Sequence, residues 1–138
     1  MKTNGDIVRE ACHVVWTEDQ VDRVEDFYAE DFSADYAFTD WGSGIEGLKA
    51  LTTSVRVGLP DYRVEIKLLI DGGEYIAVEL LIEATHTGPI NGMELTGKAV
   101  AFPNVTILRL RDDKIIKQRG LSNYLAMFQQ LGVIPEMV

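Results

Sequence analysis

Residues 95–123 read LTGKAVAFPNVTILRLRDDKIIKQRGLSN, and the way this stretch divides decides the class of fold. Leu95 to Leu110 is rich in β-branched and apolar residues, Arg111-Asp112-Asp113-Lys114 supplies a compact polar turn, and Ile115 to Asn123 resumes the extended pattern. That is the signature of a β-hairpin. Just upstream, Val64, Ile66 and Leu68 alternate with Arg63, Glu65 and Lys67, Asp71-Gly72-Gly73 supplies a turn, and Tyr75 to Thr87 is again rich in Ile, Val, Leu and Thr. A second hairpin precedes the first, broken from it by Gly88-Pro89 and Asn91-Gly92.

Helical periodicity is confined to the two ends. Ile7, Ala11, Val14, Val15, Val21, Val24, Phe27 and Tyr28 recur at spacings of three and four, which predicts two helices or one bent helix. Thr17 and Gln20 stand at capping-box spacing between the halves. Ile45, Leu48, Leu51, Val55 and Leu59 give a further stripe that starts after Ser43 and stops at Pro60, and Leu125, Phe128 and Leu131 a short last helix closed by Gly132. Glu30 to Gly44, with Asp31, Asp35, Asp40 and Trp41, has no sustained period and reads as a short strand and loop. Helices first, about four long antiparallel strands, then a helix, all within 1–138, predict one α+β domain whose helices pack on one face of a curved sheet.

Composition narrows the functional classes. Of 138 residues, 46% are hydrophobic and 25% charged, an ordinary globular balance. Thirteen Lys and Arg against 22 Asp and Glu leave a net charge of −9, which repels phosphate backbones and anionic membrane surfaces, so neither nucleic acid nor membrane is an expected partner. No apolar run approaches the ~20 residues of a bilayer span, and the single cysteine, Cys12, allows no internal disulfide; a cytoplasmic location is expected. No Gly-rich phosphate loop, Cys/His metal spacing or Gly-x-Ser-x-Gly elbow occurs, so no cofactor and no metal are expected.

Three segments taken together are similar to one family. They are Leu59-Pro60-Asp61-Tyr62; Ala84-Thr85-His86-Thr87-Gly88 with Gly92 and Thr96-Gly97-Lys98; and Gln129-Gln130-Leu131-Gly132. Between them Ile107-Leu108-Arg109-Leu110 and Asp113-Lys114-Ile115 fit a recurrent hairpin pattern, with Asp113 where glycine is usual. In order and spacing the chain resembles the SnoaL-like polyketide cyclases, of the nuclear transport factor 2-like superfamily, from about residue 20 to 134. The resemblance implies a cone: N-terminal helices packed on a strongly curved mixed or antiparallel sheet that encloses a deep apolar pocket, in a homodimer. The superfamily uses that pocket for aldol cyclisation, isomerisation, epoxide opening or plain ligand binding, so fold alone selects no reaction.

The cyclases carry a general-base acid eight residues before the leucine of the closing Gln-Leu-Gly; that position is Asn123 here, and the aromatic expected four residues earlier is Arg119. An amide hydrogen-bonds but does not accept a proton at neutral pH. By strand alternation Arg119, Leu121 and Asn123 share a face, as do Val105, Ile107 and Arg109. If the resemblance places that face inward, Asn123 and Arg109 polarise a substrate oxygen with Arg119 beside them, Glu79 or Asp40 handles the proton, and Ile107 and Leu121 meet substrate. Tyr36 and Trp41, flanking Asp40, offer flat surfaces to a polycyclic ligand, and His86 is a further contact, although it has the opposite strand parity to Glu79. The expectation is a cofactor-independent cyclase or isomerase acting on a polyketide-like or terpenoid carbonyl compound. The alternatives are an epoxide-hydrolase-like enzyme, in which an arginine bridges two acids, and a non-catalytic receptor for a small apolar ligand.

Overall fold

A computed structural model of the chain describes residues 2–35, 44–90 and 92–135. Helix α1 (Asn4–Ala11) begins with a reciprocal cap: Thr3 accepts from the Asp6 backbone N–H while the Asp6 carboxylate accepts from that of Thr3. The helix runs without a break into a π-helical turn, Cys12–Thr17, and after Asp19, held at φ +57°, into a 3-10 helix, Val21–Asp26. The bend predicted in this segment is therefore present, but Thr17 does not cap the second half. Its hydroxyl binds the backbone of Val64 instead, and Gln20 makes no side-chain cap.

Strand β1 (Tyr28–Asp35), helix α2 (Gly44–Gly58), strands β2 (Arg63–Gly72), β3 (Tyr75–Thr85), β4 (Ala99–Arg111) and β5 (Lys114–Ser122), and helix α3 (Tyr124–Leu131) complete the chain. The sheet order is β1-β5-β4-β3-β2, with β1 parallel to β5 and every other neighbour antiparallel. Asp112 and Asp113 both take positive φ at the β4–β5 turn, a conformation that a short side chain with local hydrogen-bonding capacity tolerates better than a bulky one. The β run starts at Ala99, four residues later than the composition of Leu95 to Lys98 suggests, because the latter segment folds back so that Thr96 meets His86.

Irregularities in the ladders decide which side chains face the core. The β2–β3 register shifts between Ile66 and Leu68, so Lys67 is an extra residue: Val64 and Ile66 pack inward, while Leu68, which simple alternation places with them, is 51% exposed. A second shift, between Arg109 and Leu110, pairs Leu110 with Ile115 but Arg109 with Lys117. Beyond it Val105 faces Leu121 and Ile107 faces Arg119 across the ladder, so these residues do share a face. That face is the outer one. Val105, Ile107 and Leu121 are 52%, 47% and 58% exposed, whereas Phe102, Thr106, Leu108, Leu110 and Gln118 are buried on the other side.

The expectation that residues 105, 107, 109, 119 and 121 look into the hollow is thus corrected. Hydrophobicity could not settle the point, because β4 is apolar on both faces. A strand lining a polar-tipped cavity places Asn104 and Thr106 inward and leaves Val105 and Ile107 outside. Two clusters make up the core. One joins α1 and the π-helical turn to β1 and the middle of the sheet through Val8, Val15, Phe27, Tyr28, Ile76 and Ile115; the other joins α3 to the far end through Met127, Leu131, Phe102, Val100 and Ile82.

Candidate functional site

Between the N-terminal helices, α2 and the concave face of the sheet lies a cavity of ≈ 90 Å³. Its apolar wall includes Val8, Leu51, Val55, Val78, Leu80 and Leu108, and its polar wall is a stripe of alternate residues on β4 and β5: Asn104, Thr106, Gln118, Gly120 and Ser122. Cross-strand pairing sets the stripe, since Asn104 is registered with Ser122 and Thr106 with Gly120. Thr106 Oγ1 donates to Asn104 Oδ1 at 2.6 Å, and Asn104 Nδ2 donates to Ser122 Oγ at 2.7 Å. Gly120 has no positive φ to explain it; a Cβ there would come within 3.2 Å of Thr106 Oγ1, so its missing side chain keeps the polar wall open.

A second chain of hydrogen bonds runs from the helical side. Arg56 of α2 donates to the Trp16 and Thr17 carbonyls and so fixes the end of the π-helical turn that brings Cys12 and Trp16 to the cavity. Trp16 Nε1 donates to the Tyr28 hydroxyl at 3.4 Å, and that hydroxyl donates to Gln118 Oε1 at 3.3 Å. With its carbonyl so engaged, Gln118 keeps its amide N–H groups, and Ser122 its hydroxyl proton, without an acceptor among the described residues. Both are donors that a carbonyl or hydroxyl oxygen entering the cavity would satisfy.

No carboxylate and no imidazole is among these lining residues. Burial pushes the Cys12 thiol up to about 12, against a minor opposing effect of Arg9, so it is not a thiolate at neutral pH. Burial also raises the Tyr62 phenol, with Tyr124 and Cys12 adding to the shift. The wall formed by the described residues is uncharged, and it can hold and polarise a neutral oxygen function. Among the described residues no group of three or more His, Cys, Asp or Glu is arranged to hold a metal ion, and no helix is long and apolar enough to cross a membrane.

The residues singled out from sequence lie elsewhere. Arg109 is on the outer face, where its Nε meets Glu74 at 2.7 Å and its guanidinium lies over the Tyr75 ring; this ion pair raises its pKa further. Arg119 lies 3.7 Å from Asp35 on the same face, and neither arginine bridges two acids at the cavity. Glu79, registered with Val105, is exposed and also points outward, as do Ile107 and Leu121. Asn123 is exposed and caps α3, its Oδ1 accepting from the Ala126 N–H at 3.0 Å. A short polar side chain at a strand-to-helix junction is the usual N-cap, which is the role the amide takes here.

His86 is fully buried but does not line the cavity: its Nδ1 faces the Thr96 hydroxyl at 3.0 Å and accepts from the Thr96 N–H, and its Nε2 has no partner among the described residues. Its neighbour Gly88 packs so closely on α2 that a Cβ would stand 1.8 Å from the Val57 carbonyl oxygen, which accounts for glycine in the Thr-His-Thr-Gly segment. Tyr36, Asp40 and Trp41 lie outside the described residues. Residues that sequence reasoning passed over, Asn104, Thr106, Gln118 and Ser122, form the polar wall. Their signal was present as polar residues of one parity on two strands joined by a short turn, but the bulge beside Leu110 had to be known to align them.

Asp61, from the Leu-Pro-Asp-Tyr segment, has a structural task. Its carboxylate accepts from the Thr85 N–H at 2.6 Å and the Thr85 hydroxyl at 2.8 Å, tying the start of β2 to the end of β3. Partial burial works to raise its pKa, but the two Thr85 hydrogen bonds and the Arg63 charge outweigh it and leave the carboxyl below its ordinary value.

Comparison with known proteins fits this geometry. DnrD of Streptomyces peucetius and DauD of Streptomyces sp. (strain C5), both aklanonic acid methyl ester cyclases, are each 29% identical over 62 residues, 45% of this chain. The aligned part is 43% of DnrD and 38% of DauD, so it spans less than half of these relatives. Among solved structures, AclR of Streptomyces galilaeus superposes with a TM-score of 0.85 at 21% identity, over 98% of this chain and 84% of that one. TsrD of Streptomyces laurentii gives 0.84 at 15% identity over 97% and 99%, and a SnoaL-like polyketide cyclase of Agrobacterium tumefaciens 0.79 at 19% over 96% and 100%. These likenesses establish a shared fold, and the family model for SnoaL-like polyketide cyclases matches residues 6–131. The curved sheet, its helical cover and nearly the whole length of the chain therefore belong to the SnoaL-like polyketide cyclase family.

Proposed function

We propose that the protein is a cofactor-independent cyclase or isomerase that acts on a neutral polyketide-like or terpenoid carbonyl compound held in the inner cavity. The observation that carries this reading is the pairing, among the described residues, of an uncharged wall with two unspent donors, Gln118 Nε2 and Ser122 Oγ. Donors aimed at an oxygen that gains charge as an enolate forms are the form of assistance such reactions need most. Gln118 and Ser122 take the polarising role that sequence alone gave to Asn123 and Arg109. Proton removal falls, in this reading, to Asp40.

A second reading, a receptor that binds the same class of ligand without turning it over, is favoured by the lack of a carboxylate or imidazole among the described lining residues. Hydrogen–deuterium exchange at the carbon next to the carbonyl separates the two. In D2O the protein is expected to accelerate exchange into 2-decanone, and Asp40→Asn to abolish the acceleration. Binding of the ketone with no acceleration would replace the enzyme reading with the receptor.

Also proposed is a homodimer formed through the outer face of the sheet. Leu68, Ile70, Tyr75, Val105, Ile107 and Leu121 are all about half exposed or more, and they share the outer face, with Val105 registered beside Leu121 and Ala77 between Ile70 and Ile107. An apolar sheet face of this kind is suited to a second copy of itself about a two-fold axis.

A further inference from the structure

A second cavity, of ≈ 390 Å³, opens between α2, the Pro89–Ile90 segment and α3. Apart from Ser54 and the phenols of Tyr62 and Tyr124, the described residues that line it are apolar. It is not independent of the first: Leu51, Val55, Tyr62 and Tyr124 line both, so the two spaces share one wall.

The sizes differ in a telling way. An apolar cavity of ~150 Å³ admits one benzene ring, so ≈ 90 Å³ holds a carbonyl group and little more of its carrier. Pockets for whole small molecules are typically ~300–1,000 Å³, which the second cavity alone reaches. The inner space has the hydrogen-bond donors without the room, and the outer space has the room without the donors.

We propose that the two cavities are arms of one site whose ligand has a small neutral carbonyl head in the inner cavity and an apolar tail or ring system in the α2–α3 cavity. Tyr62 and Tyr124 form the waist between the arms. The two tyrosines differ in freedom. Tyr62 is half-buried and held from two sides, packed beside Trp16 at 6.2 Å between ring centroids and under the Arg56 guanidinium. Tyr124 is 45% exposed, held mainly by its place at the start of α3 and by the Phe102 ring 5.9 Å away, so it is the side chain able to turn aside. Met127, at the far wall, is a flexible side chain that adapts its shape to different tails. Charged tails are disfavoured, since no Lys, Arg, His, Asp or Glu is among the described residues lining either arm.

This inference rests on the carbonyl-binding reading of the inner cavity, and the test keeps the two apart. Isotope-labelled full-length protein is titrated by NMR with 2-butanone, 2-hexanone, 2-octanone and 2-decanone. Affinity is expected to rise about fourfold per methylene entering the outer arm. Met127→Trp and Ser54→Trp, the latter at an exposed helix position that folding tolerates, narrow that arm and are expected to flatten the rise, lowering the ratio of 2-decanone to 2-butanone affinity. A rise that both variants leave intact overturns the two-arm site while the inner-cavity reading stands. Failure of every ketone to bind, or 2-butanone binding untouched by Ser122→Ala, overturns the inner-cavity reading itself, and the two-arm site with it.

Discussion

Asn104 on β4 and Ser122 on β5 face each other across the ladder, joined by a 2.7 Å bond from the Asn104 amide to the Ser122 hydroxyl oxygen. That bond takes one acceptor position of the serine oxygen and leaves its proton free to turn towards the cavity. It also orients Asn104 jointly with Thr106, so three side chains on two strands form one hydrogen-bonded row beside that donor. The relationship depends on the single extra residue beside the β4–β5 turn, without which Asn104 and Ser122 would not be opposite one another.

Gly120 sits in this polar wall without a backbone requirement for glycine. Gly120→Val is expected to fold, because the gain of a β-branched residue in a strand, about 0.5–1 kcal/mol, offsets part of an overpacking cost of about 1–3 kcal/mol. It is also expected to abolish 2-butanone binding by occupying the inner cavity. Circular dichroism and an NMR titration of the variant check the two halves separately.

The Asp61–Thr85 clamp predicts a pH dependence of stability. A carboxyl whose folded pKa lies below its ordinary 3.8 contributes fully above that value and loses its contribution as pH falls through the folded pKa. Asp61→Asn is therefore expected to be less stable than the parent at pH 7, with the difference shrinking below about pH 4. Urea midpoints measured from pH 7 to pH 2.5 test the sign. A difference that grows towards acid contradicts it.

Asp113, at φ +63°, stands where a left-handed turn residue is wanted. Asp113→Gly is expected to stabilise the β4–β5 hairpin by up to about 1 kcal/mol, which corresponds to a rise in melting temperature of about 2–5 °C. Differential scanning calorimetry is the measurement, and an unchanged or lowered midpoint contradicts the proposed strain.

The outer face gives a prediction of assembly. Val105→Glu and Ile107→Glu each place a carboxylate in the middle of the exposed apolar patch, beside Leu121 and Ala77 respectively. Both are expected to convert a dimer to a folded monomer in light scattering coupled to gel filtration. A parent chain that is already monomeric at high concentration contradicts the dimer.

Much of the fold was legible in the sequence because its signals are local. Both hairpin turns, the helical stripe ending before Pro60 and the Gly132 cap, found at φ +81°, announce themselves in a few residues each. What could not be read is long-range. The edge strand Tyr28–Asp35 pairs in parallel with β5, a partner more than eighty residues away. The inner and outer faces of β4 carry similar hydrophobicity, so Val105 and Ile107 looked as core-like as Phe102 and Leu108. Arg119 and Lys117 did mark the solvent side of β5, and following the charges rather than the apolar residues would have turned the sheet the right way round. Asn123 reads as a replaced catalytic group because the family resemblance sets an acid at that position, although a last helix that starts at Tyr124 makes the same residue its N-cap.

If Gln118 and Ser122 donate hydrogen bonds to a carbonyl oxygen in the inner cavity, the carbonyl stretch of bound, isotope-labelled 2-butanone reports on them directly by difference infrared spectroscopy. The band is expected at lower frequency than in an apolar solvent, moving back stepwise in Ser122→Ala and in the Gln118→Leu, Ser122→Ala double variant. A bound carbonyl whose frequency is the same in the parent and the double variant would contradict it.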